Sequence, residues 1–336
     1  MINTRDRIEA FAKLGGCLLD LLNHNSFNNI CVNAKKQNPW FNKASIVHAF
    51  EVIGPLLTYD NLLQWVKDID FDGKSKKVGV IIPSNIPLVG FIDFLSVLIS
   101  GHFFTGKLSS SNNLLLPFVA NIVINIDSRF ADYITFSEDL INLDIIIATG
   151  SDSSANYFNF NYRNCSKLIV RKNRTSVAIL NGSESYADYK FLFMDIVTYC
   201  GLGCRNVTKL FLPANFNWNM LTRVFNECNY YINENYLDNL KYQKSLLKIN
   251  CISFLSVNNL LFVESSSLNS SISVINYEFY DDLVQLSNKI NSDSNSIQCV
   301  VSNCESFANA INFGQAQSPN LHDWADGVNI LNTLNN

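Results

Sequence analysis

Apolar positions along this chain follow two rhythms. Up to about residue 70 they recur at helical spacing, as in LGGCLLDLLN and SIVHAFEVIGPLL, and predict a mainly helical start. From Lys77 the texture changes to short continuous apolar runs separated by turn residues. KVGVIIP predicts a buried strand ending at Pro83, and LVGFIDFLSVLIS predicts a helix closed by Gly101. HFFTGKLS returns as a strand, NNLLLPFVANIVINI as a helix, and LDIIIATGSDSS as a strand ending in a Gly-Ser turn. SKLIVRKN and TSVAIL follow as two short strands. Strands alternating with helices point to βαβ units and a doubly wound α/β domain in the first half.

The second half repeats the alternation. ESYADYKFLFMDIVTYC reads as a helix, KLFLP as a strand, and residues 217 to about 248 as helix broken only by loop residues. SISVINYEF, DDLVQLSNKI and IQCVVS then read as strand, helix and strand. The tail GQAQSPNLHDWADGVNILNTL predicts a turn and a short amphipathic helix. No internal repeat is present.

Composition narrows the class. The 336 residues are 48% hydrophobic and 16% charged, with a net charge of −4, which suits one large or two ordinary domains with a sizeable core. No basic stripe interleaved with aromatics is present, which argues against nucleic acid as the main partner. The run from Ile86 to Ser100 contains Asp93 and is too short for a membrane span, so it reads as a buried helix. The opening MINTRDRIEAFAKLGGCLLDLL lacks the apolar core and cleavage site of a signal peptide. Nine cysteines without framework spacing suggest a reducing cytoplasm.

Three short stretches carry candidate chemistry. TYCGLGCRNVTKLFLP places Cys204 in a glycine-flanked turn with Arg205 and Asn206 directly after it. Access and a nearby cation would favour a thiolate nucleophile, whereas a buried structural thiol is the alternative. A zinc site would need two further ligands beyond Cys200 and Cys204, and no second close pair supplies them. His24, His48, His102 and His322 read as structural. PSNIP holds Asn85 between two prolines after a strand, as a rigid amide donor for an oxyanion or as a turn asparagine. ATGSDSSA, at a strand end, could meet phosphate through backbone N–H groups or could be an ordinary helix N-cap.

The order of these stretches resembles the aldehyde dehydrogenase superfamily, whose patterns there are P-W-N-x-P, K-P-S-E, T-G-S and G-Q-x-C. NIPLVG, CRNVTKLFLP and the FGQAQSPNLHDWADGVNIL tail look like the short bacterial branch of the LuxC-type acyl-CoA reductases. The resemblance covers about residues 77 to 332. It implies an α/β fold with a Rossmann-type cofactor domain within residues 1–175, after a helical start. It further implies a catalytic domain over 176–312 and a tail, 313–336, that packs back on the first. Cys204 would be the nucleophile, with Asn85 and the Cys204 N–H stabilising the oxyanion. Lys107 would meet the adenosine ribose or its phosphate, and Gly150 and Ser151 the pyrophosphate. Glu264 would hold the nicotinamide ribose, with the register slipping by about two residues.

Departures from the family pattern sharpen the expectation. RKNRTSVAIL stands where hydrolytic members have E-L-G-G, and Leu202 where they have glutamine. The water-activating glutamate is therefore missing at the matching position, which fits reduction of an acyl thioester. Arg171 to Arg174 could form a basic edge for coenzyme A or be solvated arginines. Ser110 replaces a glutamate that would repel a 2′-phosphate, so the resemblance points to NADPH over NADH. The implied activity is NADPH-dependent reduction of a fatty acyl-CoA to an aldehyde by a homo-oligomeric enzyme, with a downstream acyl-handling enzyme as a further partner. The alternatives are reduction of an acyl phosphate or an acyl carrier protein thioester, a non-catalytic nucleotide-binding scaffold, and a Cys-dependent hydrolase.

Overall fold

The computed structural model describes residues 2–69, 73–150, 152–163, 165–171 and 174–335. The chain divides into two compact units, Met1–Asn173 with Asn320–Asn336, and Arg174–Pro319. The tail segment that belongs to the first unit begins at Asn320.

The first unit opens with four helices, α1 (Thr4–Leu21), α2 (Asn25–Gln37), α3 (Lys43–Leu56) and α4 (Tyr59–Val66). Asn3, Asn42 and Thr58 cap three of them, each side chain accepting from a first-turn N–H. The α/β part follows as β1 (Lys77–Ile82), α5 (Phe91–Ile99), β2 (Phe103–Leu108), α6 (Leu115–Ile126), β3 (Ile134–Phe136), β4 (Ile145–Thr149), α7 (Asp152–Asn161) and β5 (Lys167–Arg171). The five strands are all parallel, in the order β3-β2-β1-β4-β5. Val80 faces Gly106 on one side and Ile147 on the other. Parallel strands covered on both faces need continuous apolar runs, which KVGVII and IIIAT supply.

Helix α5 starts at Phe91, three residues later than the pattern predicts. Leu88 adopts a left-handed φ of 55° and so breaks a helix that would otherwise run from it. The charge in this apolar helix has a partner: Asp93 accepts from Arg171 at 2.8 Å, and both side chains are buried. Edge strand β3, with three residues, gives no distinct apolar signal and was not anticipated, whereas helix α7 begins at Asp152, within the stretch read as a helix N-cap. The tail completes the unit with α12 (Ile330–Asn335), whose Leu331 and Leu334 are fully buried. Lys76 and Lys167 donate to the carbonyls of Leu334 and Thr333, where the helix leaves acceptors unbonded, and Trp324 stacks on Trp65. His102 is buried and pushed down to about 4 by burial, so it sits neutral, accepting from the Lys76 N–H.

The second unit runs β6 (Thr175–Ile179), α8 (Tyr186–Val197), β7 (Val207–Pro213), α9 (Trp218–Glu227), α10 (Glu234–Ile249), β8 (Leu255–Val257), β9 (Leu260–Glu264), β10 (Val274–Tyr280), α11 (Leu283–Ser292) and β11 (Ile297–Val301). Its sheet order is β11-β6-β7-β10-β9-β8, parallel throughout except for the β8–β9 hairpin. The hairpin was not anticipated. Its turn is held by Asn258, left-handed at φ 52°, whose amide donates to the Phe225 and Cys228 carbonyls.

Replacing Asp93 by Ala would remove the carboxylate paired with the buried Arg171 charge, at a cost of about 3–5 kcal/mol. The urea midpoint of the first unit should fall accordingly. The double replacement Asp93→Leu with Arg171→Met should recover most of the loss.

Candidate active site

Each unit holds one part of the candidate chemistry. In the first, the chain runs outward from β1 through β2 to β3, then crosses to β4 on the other side of β1. The strand order therefore reverses between β1 and β4, and the crevice outside the carboxyl ends of such strands is where ligands bind in open α/β sheets. Asn85 follows β1, Lys107 is in the last two residues of β2, Ser110 lies just beyond it, and Gly150 follows β4. All four stand at that one end of the sheet.

The turn carrying Asn85 is tied down from two sides. Asn38 donates to the Ser84 carbonyl at 2.7 Å and Asn112 to the Pro83 carbonyl at 3.1 Å. Asn85 and Lys107 are half-buried and Ser110 is exposed. Gly150 tolerates no side chain, because a Cβ there would come within 2.7 Å of the Ser154 Cβ. Its own N–H donates to the Arg171 carbonyl at 3.2 Å, so it is committed to the strand ladder. Ser151 lies outside the described residues. A cation and three serines (109–111) with no carboxylate among them make a donor set that suits an anionic nucleotide.

The expected basic edge needs correction. Arg171 is 7% exposed and its charge is met by Asp93, so it is not offered to an anion at the surface. Arg174 belongs to the second unit and lies over the Ser294 and Ile297 carbonyls. Lys172 and Asn173 lie outside the described residues.

In the second unit Cys204 is exposed on the turn between α8 and β7, while Cys200 is buried and pushed up to about 11 by that burial. The two cysteines therefore differ in kind: one is accessible and the other is held as an inert thiol. Among the described residues no group of three or more His, Cys, Asp or Glu side chains is placed to hold a metal. Tyr199, Cys200 and Gly201 are consecutively left-handed, with φ of 56°, 57° and 73°. Two non-glycine residues in that region cost about 1–3 kcal/mol each and persist only when their surroundings over-determine them.

Those surroundings are specific. Asn206 is fully buried; its amide N–H groups donate to the carbonyls of Asp195, Ile196 and Thr198 at 3.1, 3.0 and 2.8 Å, and its oxygen accepts from the Gly203 N–H at 2.8 Å. Ser176, at the start of β6, donates to the Cys204 carbonyl at 3.0 Å. Arg205 sends its Nε to the Ala316 carbonyl. Asp195, 1% exposed, accepts from the N–H groups of Gly314 and Ala316 at 2.7 and 3.0 Å. Helix end, cysteine turn and the 314–316 segment are thus one hydrogen-bonded assembly. Sequence reasoning singled out none of Ser176, Asp195 and Asn206 as functional. The one available signal was a polar residue, Asn206, at the mouth of an apolar strand.

Glu264 is exposed as the last residue of β9, and Cys204 precedes the amino end of β7. Through Tyr277 of β10, Glu264 is level with Leu210 in the middle of β7, two strands away.

Neither a protein-family model nor a curated protein matches the chain. Solved structures do. The aldehyde dehydrogenase KauB from Pseudomonas aeruginosa has a TM-score of 0.67 at 10% identity, over 91% of this chain and 74% of that one. Aldehyde dehydrogenase 21 from Physcomitrella patens, in complex with the reaction product succinate, has a TM-score of 0.67 at 10% identity, over 95% and 79%. An aldehyde dehydrogenase from Mycobacterium tuberculosis complexed with NAD+ has a TM-score of 0.65 at 11% identity, over 90% and 73%. The chain has the aldehyde dehydrogenase fold. Among the described residues no helix is long and apolar enough to cross a membrane.

Burial pushes Asp195 up to about 7, against the pull of its two N–H donors and of Arg205. A carboxyl that binds its proton more tightly folded than unfolded adds stability that is full below its ordinary value near 3.8 and is lost as pH rises through about 7. Melting curves of wild type and Asp195→Asn at pH 5 and pH 8 should show this. The wild type should lose on the order of 5 °C relative to the variant between the two.

Proposed function

We propose that this protein is a thiol-dependent oxidoreductase that reduces a fatty acyl-CoA thioester to a fatty aldehyde, with NADPH as the reductant. The observation that carries the reading is the exposed Cys204, held on a strained turn by a fully buried amide, in a chain with the fold of aldehyde dehydrogenases. A cysteine that served only to pack would be buried, as Cys200 is.

The thiolate of Cys204 attacks the acyl carbonyl carbon. A C–S bond forms, the carbonyl electron pair moves to oxygen, and collapse expels the coenzyme A thiolate, which takes up a proton. Asn85 keeps the role of oxyanion donor that the resemblance gives it. The reductant, when bound, supplies a hydride that turns the thioester on Cys204 into aldehyde and free thiolate, and Lys107, Ser110 and Gly150 are the residues proposed to hold it.

Reduction is favoured over hydrolysis by the local chemistry. Strand β6 and its approach, RKNRTSVAIL, contain no carboxylate, and Thr175 to Ile179 are all buried. The carboxyl of Asp195 is already engaged with Gly314 and Ala316. Water would thus lack a general base at the position where the hydrolytic pattern places one.

Purified protein incubated with a labelled long-chain acyl-CoA should gain one acyl mass, and Cys204→Ala should gain none. Adding NADPH should discharge the adduct as aldehyde. Absence of an adduct with any acyl thioester or acyl phosphate, alongside normal NADPH binding, would sink the reading in favour of a nucleotide-binding scaffold. Cofactor choice has its own test. Ser110→Glu should weaken NADPH binding about tenfold or more by fluorescence titration while leaving NADH binding within a factor of about two, since the new carboxylate repels only the 2′-phosphate.

A further inference from the structure

A helix that ends in front of a turn leaves its last carbonyls without partners. In the second unit the turn that follows α8 also carries Cys204, and a single side chain closes both. Asn206 reaches back eleven, ten and eight residues to the carbonyls of Asp195, Ile196 and Thr198, and back three residues through its oxygen to the N–H of Gly203, the residue before Cys204. Its own backbone N–H donates to the Gly203 carbonyl. Both backbone polar groups of Gly203, the residue before the cysteine, therefore end on one residue, which is itself fully buried. Ser176, also fully buried, holds the Cys204 carbonyl on the other side.

We infer that Asn206 is the positioning residue of the nucleophile: it clasps the turn so that Cys204 stands in one fixed place for acyl transfer. The inference rests on the thiol chemistry proposed for Cys204. Only a primary amide meets the demand. The site needs two N–H donors and one acceptor on a short planar group. Aspartate has the shape, but it would set oxygens against three carbonyl oxygens. Leucine has the bulk, but it leaves those carbonyls and the Gly203 N–H unmet. Serine keeps one donor. The clasp also accounts for the left-handed run at Tyr199, Cys200 and Gly201, which lies wholly inside the loop that Asn206 closes.

Positioning differs from mere stabilisation in what it leaves untouched. A small alkylating reagent needs only an exposed thiol, whereas acyl transfer needs the sulfur in register with its substrate, and a misplacement of about 1 Å can cost about 100-fold. In Asn206→Ala and Asn206→Ser, single-turnover acyl transfer to Cys204 should fall about 10- to 100-fold, while iodoacetamide labels Cys204 at a rate within about threefold of wild type. Ser302→Ala is the control. It removes comparable bonds, from Ser302 to the Ile179 carbonyl at 2.9 Å and from the Cys304 N–H to Ser302 at 3.1 Å, and should lower the melting temperature without slowing acyl transfer.

Asn206 variants that transfer acyl groups at the wild-type rate would overturn the inference, as would an equal loss in Ser302→Ala. Hydrogen exchange of the wild-type Gly203 amide decides the matter if the variants do not fold, or if wild-type protein takes no acyl group and the proposed chemistry itself falls. Exchange as slow as that of the Leu210 amide in β7 supports the clasp, and exchange at the rate of an open loop overturns it.

Discussion

The unbonded carbonyls at the end of helix α8 are the constraint from which the cysteine turn is built. The helix must stop within nine residues of strand β7, and nothing in a tight connection can be left buried and unbonded. Thr198 answers one carbonyl, that of Met194, and Asn206 answers three more. Satisfying them with one residue pulls the loop into a left-handed coil. That coil puts Cys200 inward, beside the Asn233 amide, and leaves Cys204 outward. Exposure of one thiol and burial of the other follow from the same hydrogen bonds.

The first unit answers a different constraint. A parallel sheet collects its strand-to-helix turns at one end, so residues distant in sequence meet there without side-chain bonds to bring them together. Asn85, Lys107 and Gly150 are separated by up to 65 positions in the chain, yet β2, β1 and β4 are neighbours. The buried Arg171–Asp93 pair ties the end of β5 to the first turn of α5, and so braces this edge from below. A buried pair of this kind is costly to break rather than strongly stabilising in itself, so its effect is to fix the arrangement.

Most of the strand framework was legible in the sequence because doubly buried parallel strands leave continuous apolar runs. KVGVII, IIIAT and KLFLP all became strands in those places. What stayed illegible shares one physical feature: the partner lies far away in the chain. Arg171 reads as a surface cation beside Lys172 and Arg174, and only the fold brings Asp93 to it from 78 residues away. Asp195 reads as one more polar position in a helix, and its N–H donors come from a segment 119 to 121 residues later. Short edge elements such as β3 and β8 escaped because three residues carry too little pattern. The Cys204 turn stands out for the opposite reason, since Gly201 and Gly203 mark it locally just before the cysteine.

Engagement of the nearby charges bears directly on which reaction the turn suits. An acyl group on Cys204 can leave by attack of water or of hydride, and water needs a base to take its proton. The carboxyl linked to the cysteine turn, Asp195, is occupied by two N–H donors and is pushed towards its protonated form by burial. Arg205, the cation next to the thiol in sequence, donates to the Ala316 carbonyl in the same assembly. Both charged side chains are thus spent on holding the 314–316 segment against the turn. On the proposed reading, the hydrogen bonds that hold the turn around Cys204 also keep the Asp195 carboxyl engaged with its two N–H donors, so rigidity of the turn and the absence of a free carboxylate in it go together.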